Sequence, residues 1–357
     1  MKEYKATKFS QIEPEFLSWL WPNRIPYGKV TLLVGNSGIG KSILSMYIAA
    51  QVSRGAEWPD CPGVRQGWLD EETNTHVGEG VIVLTTEDDL ADTVRVRLEA
   101  AGACLNNIYT VSVSKTYKDD KQEYPIYDLL EEIDVLEQMI EDTGNIGLII
   151  LDPITAYMGK LNANSNTEVR YFMNPLKELA EKYELAILGI SHFNKNEDVS
   201  AINRTLGSIG FVAAARSVWS VFVNPADEDS RLMLPVLGNV GKNPKGLEFK
   251  LVDADVQTID GVIGSVRCEF ERDQVLRTAD DIFEDAKKKQ RAPVKHKVKI
   301  WIEEQIKQGN MDAKTIEELA KKEGISRNTL YRAKEDIGIK SKREGKKWVW
   351  TLAKKEE

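Results

Sequence analysis

Across residues 1–279, short apolar runs alternate with stretches whose apolar residues recur at helical spacing. The runs Val30–Val34, Val81–Thr85, Ile108–Val113, Ile146–Leu151 and Leu185–Ile190 predict strands. Ile43–Val52, Asp89–Ala101 and Ile126–Asp142 predict the helices between them. That alternation is the signature of an α/β domain with a mainly parallel sheet. After Ser217 the rhythm changes to Val218–Val223, Leu232–Leu237, Leu247–Val252 and Ser265–Phe270, which predict antiparallel strands closing the sheet edge. The polar stretches Arg65–Glu79 and Lys115–Tyr124 read as surface insertions, and no internal repeat is visible.

A different pattern follows residue 280. Residues 280–296 shift from acidic to basic through Lys287-Lys288-Lys289 and Arg291-Ala292-Pro293, which predicts a linker. Residues 297–355 then read as a second, small domain. Lys295–Gln308 and Thr315–Glu323 predict two helices, Gly324-Ile325-Ser326 a turn with Ser326 as N-cap, and Arg327–Ile337 a third helix. Two short strands follow within Ser341–Leu352, around Glu344-Gly345.

Charge sharpens this division. The 357-residue chain has a net charge of −8, but residues 287–355 hold 21 Lys and Arg against 9 Asp and Glu, a net of +12. Residues 1–286 hold 27 against 45, a net of −18. An acidic body with a basic tail points to a nucleic-acid partner for the tail, the alternative being a solvated lysine-rich helical domain. Cys61, Cys104 and Cys268 are widely spaced and form no metal-binding pair, no run is long enough to span a membrane, and Met1–Lys5 has no apolar leader. A reduced, cytoplasmic protein without membrane partners is the expectation.

The chemistry begins at Gly35-Asn36-Ser37-Gly38-Ile39-Gly40-Lys41-Ser42, directly after the first strand and before a helix. This is the phosphate-binding P-loop pattern in its strand–loop–helix setting. Glycines let backbone N–H groups curl around a triphosphate at a helix N-terminus, Lys41 reaches its β- and γ-phosphates, and Ser42 reaches Mg²⁺. The strand Gly147–Asp152 ends in one acid, the arrangement that holds Mg²⁺ through Asp152. In AAA+ ATPases a glutamate usually follows; here Pro153 stands in that place. The second strand ends instead in Glu87-Asp88-Asp89, so Glu87 is the candidate base that polarises the attacking water, with Asp88 and Asp89 capping the next helix. The alternative is that all three acids cap.

The P-loop, the strand ending in Glu87-Asp88, Asp152-Pro153 and Ser191-His192-Phe193-Asn194-Lys195 together resemble the RepA-type hexameric helicases of plasmids and phages, from about Trp19-Leu20-Trp21-Pro22 to the Phe249 region. The resemblance implies a RecA-like core, ATP rather than GTP, and a homo-oligomer, a hexamer, working with replication proteins such as primase. It implies that His192 senses the γ-phosphate, that Arg216 is an arginine finger for the neighbouring subunit's ATP, and that Lys242 lies near the nucleotide. The alternatives are a surface arginine and a turn lysine. Two departures stand out: Leu206 precedes Gly207 where relatives carry arginine, with Arg204 nearby, and Lys242-Asn243-Pro244 replaces a Lys-Asn-Arg turn. In such a fold the loops Ile154–Val169 and Asn194–Ile209 line a channel for single-stranded DNA, with Lys160, Lys195 and Arg204 as cations and Tyr157 as a stacking ring.

The tail has helix–turn–helix spacing. Arg327, Asn328, Arg332 and Lys334 are candidate contacts of a recognition helix, Leu330 and Ile337 its core side. Arg343 and Lys346 sit on a candidate wing over duplex DNA, anchored by Trp348-Val349-Trp350. Such winged-helix tails occur on phage relatives of the family. The expectation is an ATP-dependent DNA helicase or translocase. A DNA-binding switch, such as a helicase loader or origin-binding regulator, is the alternative; a small-molecule kinase would leave the tail unexplained.

Overall fold

The computed structural model describes residues 6–72, 75–117, 120–125, 128–193, 209–238, 245–307, 312–345 and 347–352. Its contacts divide the chain into Met1–Ile282 and Phe283–Glu357.

The first unit is an α/β domain built on a nine-stranded, mainly parallel sheet, consistent with a RecA-like P-loop core. Its parallel part comprises β3 (Val30–Gly35), β6 (Gly80–Thr85), β7 (Ile108–Tyr109), β10 (Ile146–Asp152), β11 (Ala186–His192) and β12 (Ser217–Asn224). Three long strands, β13 (Asp227–Gly238), β14 (Gly246–Thr258) and β15 (Gly261–Val275), continue it antiparallel. The order is β15-β14-β13-β12-β3-β11-β10-β6-β7. Small hairpins complete the strand count: β1 (Trp19–Trp21) with β2 (Ile25–Pro26), β4 (Trp68–Asp70) with β5 (Thr75–Val77), and β8 (Ser112–Tyr117) with β9 (Asp120–Pro125).

Every residue of β3 and β10 is buried, because helices cover both faces of the sheet. One face sends Val30, Leu32, Ile149 and Leu151 against α3 (Ile133–Thr143), α4 (Asn166–Lys182) and α5 (Ile209–Ala214). The other sends Leu33, Val83, Leu148 and Ile150 against α1 (Lys41–Ser53) and α2 (Arg95–Ala100). The period-two alternation of a strand thus feeds two cores from one apolar run.

Register decides where chemistry can gather. β11 lies between β3 and β10, pairing His192 with Gly35. β10 pairs with β6, placing Asp152 opposite Thr85. The P-loop, His192, Asp152 and the residues after Thr85 therefore end at one edge of the sheet.

Several predicted elements differ. The helix expected over Ile126–Asp142 starts only at Ile133. The strand expected over Ile108–Val113 splits into β7 and the start of the β8–β9 hairpin. Both polar insertions contain hairpins. β14 and β15 run well past their apolar cores as a two-stranded ribbon, since β13 pairs only with Leu247–Lys250.

The second unit is small. It contains most of α6 (Ala279–Lys307), with α7 (Ala313–Lys322), α8 (Arg327–Asp336) and the hairpin β16 (Ile339–Glu344)–β17 (Lys347–Leu352). Val298, Ile302, Ile316, Leu330, Ala333, Ile339 and Trp350 form its core. Ser326 caps α8 as expected, its hydroxyl accepting from the Thr329 amide at 3.2 Å. The stretch 280–296, read from charge as a linker, lies inside helix α6. Trp350 is fully buried, whereas Trp348, expected to share its anchoring role, is 56 % exposed: it lies on the same face of β17 but two residues nearer the hairpin turn, opposite Arg343.

Candidate nucleotide site

The P-loop connects a fully buried strand to a helix whose first residue is Lys41. Gly38 and Gly40 adopt φ of 74° and 96°, the left-handed region where a side chain would be strained. A Cβ on Gly40 would also stand 2.8 Å from Leu251 Cδ1. The glycine spacing thus provides a backbone cradle, with the ribbon strand β14 leaning on it through Leu251.

Lys41 is 4 % exposed, and its ammonium donates to the Asn36 carbonyl at 2.7 Å and to His192 Nδ1 at 3.2 Å. An ammonium only donates, so Nδ1 is the acceptor and the ring proton sits on Nε2. Nε2 lies 3.9 Å from Glu87 Oε1, and Ser37 Oγ lies 3.2 Å from Nδ1. Burial, then the Lys41 charge, lowers the His192 pKa, favouring this neutral form. Burial likewise lowers the Lys41 pKa, opposed by Asp152 and Glu87. The structure therefore brings Ser37, Lys41, Glu87 and His192 into one group.

Asp152 lies behind them, 4 % exposed and hydrogen-bonded with Ser42. Burial raises its pKa to about 6; the Ser42 bond opposes that, and the neighbouring charges of Glu87 and Asp88 add to it. A buried carboxylate repelled by two others, touching a hydroxyl, fits a divalent cation: Ser42 and Asp152 would hold Mg²⁺, and Gly35–Ser42 the phosphates. Among the described residues no group of three or more His, Cys, Asp or Glu side chains forms a metal cluster of its own.

The same burial yields a prediction. A carboxylate whose folded pKa lies above its unfolded value destabilises the fold progressively as pH rises between the two, here from about 4 to 6. Asp152→Asn is therefore expected to stabilise the nucleotide-free protein at pH 7.5, with the advantage shrinking at pH 5. Thermal melts at the two pH values check it, and an equal gain at both contradicts it.

The acidic run after β6 divides its roles. Asp89 caps the following turn, accepting from the amides of Ala91 at 2.8 Å and Asp92 at 3.2 Å. Asp88 does not cap; it pairs with Arg97 at 2.5 Å. Glu87 remains 56 % exposed at the site edge. The Asp88–Arg97 pair and the Leu251 contact were beyond sequence reasoning, since neither falls in a motif.

Other candidates do not join this group. Arg216 is exposed where β12 begins, its amide donating to the Val30 carbonyl at 3.2 Å. Val30 and Gly35 are the two ends of β3, about 17 Å apart at about 3.3 Å per residue. Arg216 is thus at the opposite sheet edge from its own P-loop. Lys242, Lys195, Arg204 and Lys346 lie outside the described residues. Lys160 is exposed, but Tyr157, expected as a stacking ring, is 2 % exposed in the core and has no free face for a base.

In the second unit Arg327, Asn328, Arg332 and Arg343 are exposed. Lys334 is turned inward: its ammonium bonds Ser341 Oγ and sits 4.7 Å over the Trp350 ring. Burial lowers its pKa.

The sheet order, the cradle and the buried Asp152 define a P-loop ATPase domain. A family model described as an AAA domain matches residues 3–198, more than half of the chain, and the chain belongs to that family. No curated protein matches it. It carries Pro153 after Asp152, and a further carboxylate, Glu87, stands beside the cradle from the end of the neighbouring strand, 3.9 Å from His192. No helix among the described residues is long and apolar enough to cross a membrane.

Proposed function

We propose that this ATPase hydrolyses ATP to move on single-stranded DNA, as a hexameric helicase or translocase in the replication of a phage, plasmid or integrated element. The observation that carries the reading is Glu87 at the tip of β6, 3.9 Å from a histidine that also touches the P-loop lysine. A carboxylate in that place can take the proton of an attacking water, and His192 connects it to the lysine and to the chain that follows β11. Bound magnesium triphosphate supplies the electrophilic phosphorus and neutralises developing charge. Lys41 and the loop amides fix the phosphates, Asp152 and Ser42 fix the cation, and Glu87 orients water. Arg216, displaced from its own site, suits an arginine finger acting on a neighbouring copy.

The DNA part of the reading rests on the second unit as a winged helix–turn–helix, with α8 as recognition helix and β16–β17 as wing. Arg327, Arg332 and Arg343 present cations on its surface, while Lys334 serves its interior. Changing the three arginines to alanine is expected to weaken duplex binding and to reduce the slope of log K against log salt by about 0.9 for each lost phosphate contact. Titrations at several salt concentrations check this; an unchanged slope contradicts DNA binding by this unit.

One observation favours a second reading. With Tyr157 buried, the loop after β10 offers Lys160 but no stacking ring. An ATP-gated DNA-binding switch, such as a helicase loader, needs no such ring.

A further inference from the structure

The hairpin β16–β17 carries two tryptophans on one face and treats them differently. Trp350 is fully buried: the Tyr331 ring meets it edge-on with centroids 5.7 Å apart, and the Lys334 ammonium lies 4.7 Å over it. Lys334 also bonds Ser341, the residue opposite Trp350. Trp348 lies two residues nearer the turn, opposite Arg343, and stays 56 % exposed. It takes no part in the core that Trp350 closes. The helix α8 thus fixes the inner end of this face, and the outer end presents an indole to solvent.

The surroundings of that indole define what it can receive. Lys340, Lys342, Arg343 and Lys347 are exposed along the hairpin, and the sole acid among residues 339–352, Glu344, lies 3.9 Å from Lys342. Residues directly opposite on a hairpin stand about 5 Å apart at Cβ, so the Arg343 guanidinium and the Trp348 ring share one patch. A flat apolar ring beside a cation that pairs with phosphate fits a nucleotide whose base has left its stack. A base inside a duplex has both faces covered by its neighbours, so it offers the indole nothing to stack on. Trp68, the other exposed tryptophan among the described residues, stands beside Asp70, Glu71 and Glu72, which repel such a ligand. Charge therefore separates the two rings, and only Trp348 suits a polyanion.

We propose that Trp348 and Arg343 form a base-stacking site for an unpaired nucleotide, so that the second unit selects the junction between duplex and single-stranded DNA over uninterrupted duplex. Arg327 and Arg332 hold duplex phosphates, Arg343 holds the phosphate at the junction, and Trp348 stacks on the first unpaired base. The inference rests on the reading of this unit as a DNA-binding winged helix and adds the class of DNA that it selects. It also places in this unit a stacking ring of the kind that the buried Tyr157 does not offer.

Titration of the full-length protein with a forked DNA tests it, with a fluorescent adenine analogue at the first unpaired position and closed circular duplex as competitor. The wild type is expected to quench the analogue and to bind the fork about tenfold more tightly than Trp348→Ala. Trp348→Ala loses the quenching but keeps the wild-type melting temperature and affinity for the circle. It also keeps the salt dependence, because an indole releases no counter-ion. Trp348→Phe retains most of the quenching and of the fork affinity. If Trp348→Ala changes neither while the triple arginine variant still loses duplex affinity, the stacking site falls and DNA binding by this unit stands. If neither variant loses affinity for any DNA, both fall. Equal losses on fork and circle in Trp348→Ala also overturn the proposal, since the ring then serves DNA binding in general. So does a change in solution mass with DNA affinity unmoved, which assigns Trp348 to an interface with a second copy.

Discussion

Glu87→Gln lowers the turnover number for ATP by about 10²–10⁴-fold and leaves ATP affinity nearly unchanged. The amide keeps the size and polarity of the side chain but cannot take a proton. It stands 56 % exposed at the edge of the cradle and reaches His192 rather than the loop amides, so no donor that grips phosphate is removed. Asp88→Asn is the informative comparison. Its carboxylate is committed to Arg97 on the next helix, so its loss costs little in turnover. Steady-state hydrolysis with a separate binding titration checks both. Equal losses for the two variants would mean that the acidic run acts only as a local field and that no single carboxylate serves as base.

The largest effect on stability is expected at Asp60, far from any motif. Asp60 holds the guanidinium of Arg24 at 2.7 Å and 3.0 Å and accepts from Trp21 Nε1 at 2.8 Å; the two charged side chains are 8 % and 1 % exposed. Arg24 in turn donates to the Lys245 carbonyl at 3.0 Å and lies 4.7 Å over the Trp219 ring, and its own carbonyl accepts from Ser217 Oγ and Trp219 Nε1. Removing the carboxylate leaves a buried cation without its counter-charge, a loss of about 3–5 kcal/mol. Asp60→Ala is therefore expected to lower unfolding stability by that amount in urea titrations. Lys182→Ala, at a pair whose partners are 54 % and 37 % exposed, costs less than about 1 kcal/mol. Comparable losses at the two sites would contradict the account of the buried pair. The same knot holds Ser217, next to Arg216, and Lys245.

The contrast between these two regions explains what the chain's sequence discloses. Gly35–Ser42, Asp152 and Glu87 each sit in or next to a contiguous apolar run, and the chemistry of strand ends makes their convergence legible before any coordinates. His192 required the resemblance, because a lone histidine at a strand end has many ordinary roles. The Arg24–Asp60 knot joins residues 36 positions apart with no shared motif, and only the fold brings them together. Tyr157 shows the opposite failure: a loop position suggested an available ring, but its short 3₁₀ turn after Pro153 tucks that ring into the core. Lys334 fails likewise, since helical spacing placed it among DNA contacts while the hairpin supplied Ser341 and Trp350 to receive it. The extended ribbon of β14 and β15 escaped prediction because its outer half, Val252–Thr258 and Gly261–Arg267, mixes polar and small residues with isolated apolar ones, and each of those strand halves has one hydrogen-bonded neighbour rather than two. Its contact with Gly40 is the part of the nucleotide site that no local signal announces.

The central claim is that ATP turnover at Glu87 drives movement on single-stranded DNA. The most direct measurement is steady-state ATP hydrolysis by the full-length protein with and without single-stranded DNA, run beside Glu87→Gln. The account predicts turnover that DNA stimulates and that the substitution abolishes. Tight ATP binding with negligible turnover, unmoved by DNA, would contradict a motor and leave the ATP-gated switch.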